Sequence, residues 1–164
     1  MAAPTYSDDV RRFWLTFCAE TGVGADQTYD AFAFGDSTEM ADELAGLVLH
    51  GPKRATAGLL ADYADEPLPE VGGHSIVLGG DSQPVCVIRT TEVRVLPFRA
   101  VDAAFAWDEG EGDRSLAYWR DAHIGFFIRM CAARGEVFGE EMETVLERFA
   151  MVWPTASPDL KGPP

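Results

Sequence analysis

His50-Gly51-Pro52-Lys53-Arg54-Ala55-Thr56 is the stretch on which the fold turns. Gly51 suits the left-handed residue that ends a helix, and Pro52 forbids the helix to continue. The chain must therefore leave a helix and enter a strand at a sharp corner. Lys53 stands just past that corner and is one of only two lysines, the other being Lys161 in a Pro-rich tail. An ammonium beside a hydroxyl, here as Lys53-x-x-Thr56, reads as a catalytic or anion-holding pair. The competing reading is a solvated basic residue after a helix C-terminus, where the dipole favours cations.

Upstream of the corner the pattern is helical. Residues 7–21 place Val10, Phe13, Trp14, Phe17 and Cys18 at helical spacing, with Ser7 as cap and Asp8 and Asp9 in the positive first turn. Residues 29–35 read as a short extended segment. Asp36-Ser37-Thr38-Glu39 reads as a capping signature on Asp36, opening a helix over 38–50 that buries Met40, Ala41, Leu44, Leu47 and Val48. Downstream, strands are expected at 54–61, 74–78 and 84–96, the last two joined by a hairpin turn at Gly79-Gly80-Asp81-Ser82. A short helix follows at 98–106. Trp107 to Asp113 forms an acidic, glycine-rich loop without period, expected outside the core. Asp113 is expected to cap a helix over 114–134, and a last strand runs over 144–153. Two helices followed by strands with helices inserted argue an α+β fold with a small curved sheet or barrel. One domain is expected over residues 1–153, followed by a flexible tail over 154–164.

The chain has 164 residues, 47% of them apolar and 24% charged, which describes an ordinary globular domain. No window approaches the roughly 20 unbroken apolar residues of a membrane helix, and the N-terminus lacks the regions of a signal peptide. Cys18, Cys86 and Cys131 each sit in an apolar run, as buried thiols in a reducing compartment do, and no Cys/His spacing resembles a zinc site. The cytoplasm is the expected location. The net charge is −14, which argues against duplex DNA as a partner, because phosphate binding asks for a basic face. The charge is uneven: residues 1–50 hold nine acids and two basic residues, while 85–134 hold seven of each. A nucleoside or short single strand therefore stays open.

Four features carry candidate chemistry: the Lys53/Thr56 corner, Glu92, the Glu109/Glu111 loop, and Trp119 with His123 on the last helix. A lysine close to a carboxylate can share its proton, and burial lowers a lysine pKa toward neutrality. With a hydroxyl alongside, such a trio activates the threonine or positions a water. The competing readings are a solvated loop for the two glutamates and core packing for Trp119 and His123. Glu92 reads as a cross-strand partner of Arg94 or Arg89.

The motifs Phe34-Gly35-Asp36, Gly51-x-Lys53-x-Ala55-Thr56, Thr90-Thr91-Glu92-Val93, Glu109-Gly110-Glu111-Gly112-Asp113-Arg114-Ser115-Leu116-x-x-Trp119-Arg120-x-x-His123-x-x-Phe126-Phe127 and Glu147-Arg148-Phe149 occur in one order over residues 10–153. Together they resemble a bacterial ASCH-domain protein. The resemblance implies a PUA-like fold, a small β-barrel of about five to six strands with flanking helices, whose cleft is associated with RNA or modified nucleosides. Relatives include amidohydrolases on N4-acylated cytidine, which use a Lys, a Thr and a Glu, and reported ribonucleases. Lys53 and Thr56 match the family's Lys-x-x-Thr. Glu111, ahead of Glu109, is the candidate glutamate, and Arg54 and Arg114 are candidate phosphate or carbonyl contacts. Trp119 and His123 complete the candidate substrate-binding set. Gly72-Gly73-His74 departs from relatives that carry an acid after the first glycine.

Three functions are consistent with these residues. A ribonuclease would use Lys53 on the phosphate charge, with Glu111 as base or as holder of a divalent ion, Mg²⁺ or Mn²⁺. No metal ligand or cofactor is otherwise indicated. An amidohydrolase on a modified cytidine nucleoside would use Thr56 as nucleophile, Lys53 as its base and Glu111 to orient the amide. A non-catalytic module would bind single-stranded RNA. Exposed apolar surface on the first helix is compatible with a homodimer.

Overall fold

A computed structural model describes residues 4–154. The expected tail at 154–164 lies, apart from Pro154, outside the described residues. Helices α1 (Asp8–Thr21), α2 (Thr38–His50), α3 (Ala103–Glu109) and α4 (Leu116–Ala133) accompany strands β1 (Tyr29–Ala33), β2 (Ala55–Leu59), β3 (His74–Leu78), β4 (Pro84–Pro97) and β5 (Glu143–Trp153). The five strands form one sheet in the order β1-β3-β4-β5-β2. The described chain divides into two compact units, one made of residues up to His50 with Gly73–Arg89 and the segment from Ala150, the other of Gly51–Gly72 with Thr90–Phe149.

In the first unit α1 starts where Ser7 accepts the Val10 N–H and ends at Gly22, whose φ of 82° a side chain would resist. Its Val10, Trp14, Phe17 and Cys18 pack on Ile76, Val87 and Trp153. Burying one such aromatic or aliphatic side chain contributes about 1.5–3 kcal/mol. Strand β1 pairs parallel to β3, and β3 pairs antiparallel to β4 through the expected turn. The cap of α2 is Ser37 rather than Asp36: the Met40 N–H donates to Ser37 Oγ at 3.1 Å.

In the second unit β2 pairs antiparallel to β5, with Ala55 opposite Arg148, Thr56 opposite Glu147 and Ala57 opposite Leu146. Side chains alternate across a strand. Ala55, Leu59 and Leu146 thus share a core with Phe98, Phe105, Trp119, Phe127 and Cys131, and Thr56 and Glu147 stand on the other face. The expected helix at 98–106 is instead a 3₁₀ turn (Phe98–Ala100) followed by α3, which starts later because Asp102 accepts the Phe105 N–H. Ser115, not Asp113, caps α4, accepting the Tyr118 N–H at 3.0 Å, while Asp113 accepts the Ser115 N–H at 2.8 Å. The three cysteines are buried and none is in a disulfide. Among the described residues no helix is long and apolar enough to cross a membrane.

Candidate active site

The second unit holds the corner against the end of α3. The Arg54 N–H donates to the Asp108 carbonyl at 2.8 Å, and the Arg54 carbonyl accepts the Phe149 N–H at 3.0 Å. Gly110 closes α3 at φ 68°, and a Cβ there would lie 2.6 Å from the Pro52 carbonyl carbon and 2.7 Å from the Lys53 nitrogen. Backbone thus touches backbone, and only glycine fits. The loop that follows is brought directly over Lys53.

Lys53 is 1% exposed. Its Nζ donates to the Ala55 carbonyl at 2.8 Å, to Glu109 Oε1 at 3.1 Å and to Glu111 Oε2 at 2.9 Å. Glu109 is equally buried, which corrects the expectation that the whole 107–113 loop lies outside the core. An unpaired carboxylate could not stay ionised there. Glu109 Oε2 accepts from Trp119 Nε1 and lies 3.1 Å from His123 Nε2. His123 Nδ1 lies 2.9 Å from the Trp119 carbonyl, and the two rings stack at 4.2 Å. With an acceptor oxygen at each ring nitrogen, His123 is suited to carry both protons.

The charges follow from competition between burial and partners. Burial works against the Lys53 ammonium, but Glu109 and Glu111 outweigh it and hold its pKa above the ordinary value. The expected lowering of Lys53 is therefore reversed, and an ammonium has no lone pair with which to act as base. Burial likewise works against the His123 imidazolium, and Glu109 outweighs it, raising its pKa. Burial would raise Glu109, yet His123 and Lys53 hold it well below the carboxylate range. Glu111 moves the other way: burial and the neighbouring Glu109 raise its pKa despite Lys53. Two neighbouring carboxylates thus have their titrations pushed apart, Glu109 a fixed anion and Glu111 a group able to take and give a proton.

The remaining candidates are spread around this cluster. Trp119 (2% exposed) and His123 (9%) stand behind Glu109, inside the protein. Arg54 Nη1 donates to the Lys53 carbonyl at 2.6 Å. Arg114 Nε donates to the Trp107 carbonyl at 2.9 Å, and its guanidinium lies 3.7 Å from the centre of the Trp107 ring. Glu92 pairs with Arg94 and with Arg148, which also holds Asp108 at 2.8 Å. Glu147 belongs to the last of the five motifs, yet sequence reasoning assigns it no role. It is 6% exposed and accepts from Thr90 Oγ1 at 2.6 Å. The available signal is a glutamate amid the apolar residues of the last strand.

Glu109, Glu111 and His123 each offer a ligand atom within 4.8 Å of the others. They do not fit Mg²⁺ or Mn²⁺. Both carboxylates already hold the Lys53 ammonium, and His123 already faces Glu109, so a hard divalent ion would have to displace an internal cation.

The α+β fold with this glycine-bounded lysine corner matches the family model described as ASCH domain over residues 30–153. The chain belongs to the ASCH-domain family, and its fold is PUA-like. It is 34% identical to a crystallised ASCH domain from Lactobacillus crispatus, with a TM-score of 0.79, covering 88% of this chain and 94% of that one. It is 36% identical to a crystallised protein from Enterococcus faecalis, with a TM-score of 0.80, covering 88% of each chain. No curated protein matches the chain significantly.

Proposed function

We propose that this protein is an amidohydrolase that removes the acyl group of an N4-acylated cytidine or a similar small, neutral nucleoside. The observation that carries the reading is the Lys53–Glu111 pair, 2.9 Å apart, in which a fixed ammonium adjoins a carboxyl of raised pKa. The ammonium stabilises the oxyanion that develops on the acyl carbonyl, and Glu111 delivers a proton to the departing amine. Thr56 is the nucleophile. Charge balance also favours a neutral substrate over a phosphodiester. The chain as a whole carries −14, which repels a phosphodiester. The same balance weighs against the RNA-binding module. No metal has a part in this mechanism.

Incubation of wild type, Lys53→Ala and Thr56→Ala with N4-acetylcytidine and with single-stranded RNA, products read by mass, tests the reading. Acetate and cytidine from wild type alone, with RNA intact, are expected. Intact N4-acetylcytidine, or full activity in Thr56→Ala, would sink it.

A further inference from the structure

The ammonium state of Lys53 leaves the Thr56 hydroxyl in need of another proton acceptor, and the sheet supplies one. Thr56 on β2 is the register partner of Glu147 on β5. Directly opposed residues of an antiparallel pair share a face, with Cβ atoms about 4.5–5.5 Å apart. From Cβ the glutamate reaches farther than the threonine, so a carboxylate at this register position can reach the hydroxyl across the ladder through one water. On the far side of β5, Thr90 Oγ1 donates to Glu147 Oε1 at 2.6 Å, which fixes the carboxylate in place. Glu147 is 6% exposed, while Thr56 is half-buried, so the acceptor is shielded and the nucleophile is not sealed in. Two residues along β2 on the same face, Gly58 lies under the Tyr63 ring, where a Cβ would sit 3.4 Å from ring carbon. The Lys53 ammonium is bonded to the Ala55 carbonyl, part of the peptide that joins Ala55 to Thr56. Thr56 therefore stands opposite a buried glutamate across the ladder, one peptide away from the carbonyl that holds the ammonium.

We infer that Glu147 is a catalytic base: it takes the Thr56 hydroxyl proton as Thr56 attacks the acyl carbonyl, with Thr90 as its positioning residue. This rests on the amidohydrolase reading for its substrate, though not for the activation of Thr56. In the first half-reaction a Thr56 Oγ–acyl bond forms and the acyl–N4 bond breaks. The Thr56 proton goes to Glu147, and the Glu111 proton goes to the amine. In the second, water attacks the acyl-enzyme. Glu111 takes a proton from the water, Glu147 returns its proton to Thr56 Oγ, and the acid leaves. Amide and water are consumed, and acid and amine are produced.

The test uses an activated ester, p-nitrophenyl acetate, which acylates a primed hydroxyl without needing the natural substrate. Wild type, Glu147→Gln, Glu147→Asp and Thr90→Val are treated, and acetylation of the peptide containing Thr56 is followed by mass, with Thr56→Ala as blank. Thr56 is expected to be acetylated in wild type and about a hundredfold or more slower in Glu147→Gln, the usual size of a general-base contribution. Thr90→Val is expected to fall between them, with Glu147→Asp also slowed. Equal acetylation in wild type and Glu147→Gln, or none at Thr56 in wild type, overturns the inference. Should Glu147→Gln not fold, Glu147→Asp decides, an unchanged rate again overturning it. Glu147-dependent acetylation with N4-acetylcytidine left intact would sustain Glu147 and reject the proposed substrate.

Discussion

Lys53 and Glu109 are each about 1% exposed and 3.1 Å apart, and their energetics differ from those of a surface pair. Taking both charges out of water costs several kcal/mol per ion, offset only because each has further partners. Removing one member strands the others. Glu109→Gln is expected to destabilise the protein by about 3–5 kcal/mol, the cost of breaking a buried pair, read as a lowered urea midpoint at unchanged slope. A loss under about 1 kcal/mol, the size of an exposed pair, would show that the cluster is hydrated. His123 gives the pH signature. Its folded pKa lies above the ordinary imidazole value through Glu109, so its contribution is complete below about pH 6.5 and is lost as pH rises through the folded pKa. The stability gap between wild type and His123→Gln is therefore expected to be widest at pH 5.5 and to shrink toward pH 9. Glu109, with its pKa depressed, contributes above the ordinary carboxylate range and loses that contribution only in strong acid. A gap that widened with pH would reverse the assignment.

At the scale of elements, the site depends on how α3 ends. Gly110 must be left-handed and must let its Cα come against the Pro52–Lys53 peptide. Gly110→Ala is expected to be more damaging than Gly22→Ala. Position 22 shares the positive φ but has nothing within 4 Å of an added methyl group, so it measures backbone strain alone, about 1 kcal/mol. At 110 the clash adds to the strain, and thermal melts should show a loss at least twice as large, with the proposed amidohydrolase activity lost too. Equal losses would mean that the corner yields. The same segment shows what is legible in the sequence. The helix, corner and strand order can be read from periodicity and from Gly51-Pro52, because those signals are local. The caps slip by one or two residues, since Asp and Ser are near-equal caps and Asp36-Ser37 and Asp113-Arg114-Ser115 offer both. The loop 107–113 is expected outside the core because charge without period reads as solvated. Its Glu109 is buried by a lysine 56 positions away, a partner that no local pattern announces. Glu147 is illegible for the same reason, its neighbours being strand partners.

At the scale of the whole molecule, the net charge of −14 separates the candidate substrates by their response to salt. Duplex and single-stranded nucleic acids bind proteins by releasing counterions, so affinity falls steeply with salt, by about 10³–10⁵ between 50 and 200 mM for six to ten phosphate contacts. A neutral nucleoside releases none, and the cluster that would act on it is largely buried, hence screened little by ions. The value of kcat/KM for N4-acetylcytidine is therefore expected to change by less than about twofold from 50 to 500 mM NaCl, a range over which the Debye length falls to about a third. Over the same range the fold itself should gain stability, because salt screens the self-repulsion of a strongly acidic chain. Turnover of single-stranded RNA that falls steeply over the same range would point to a phosphate-bearing substrate and return the phosphodiester reading to first place.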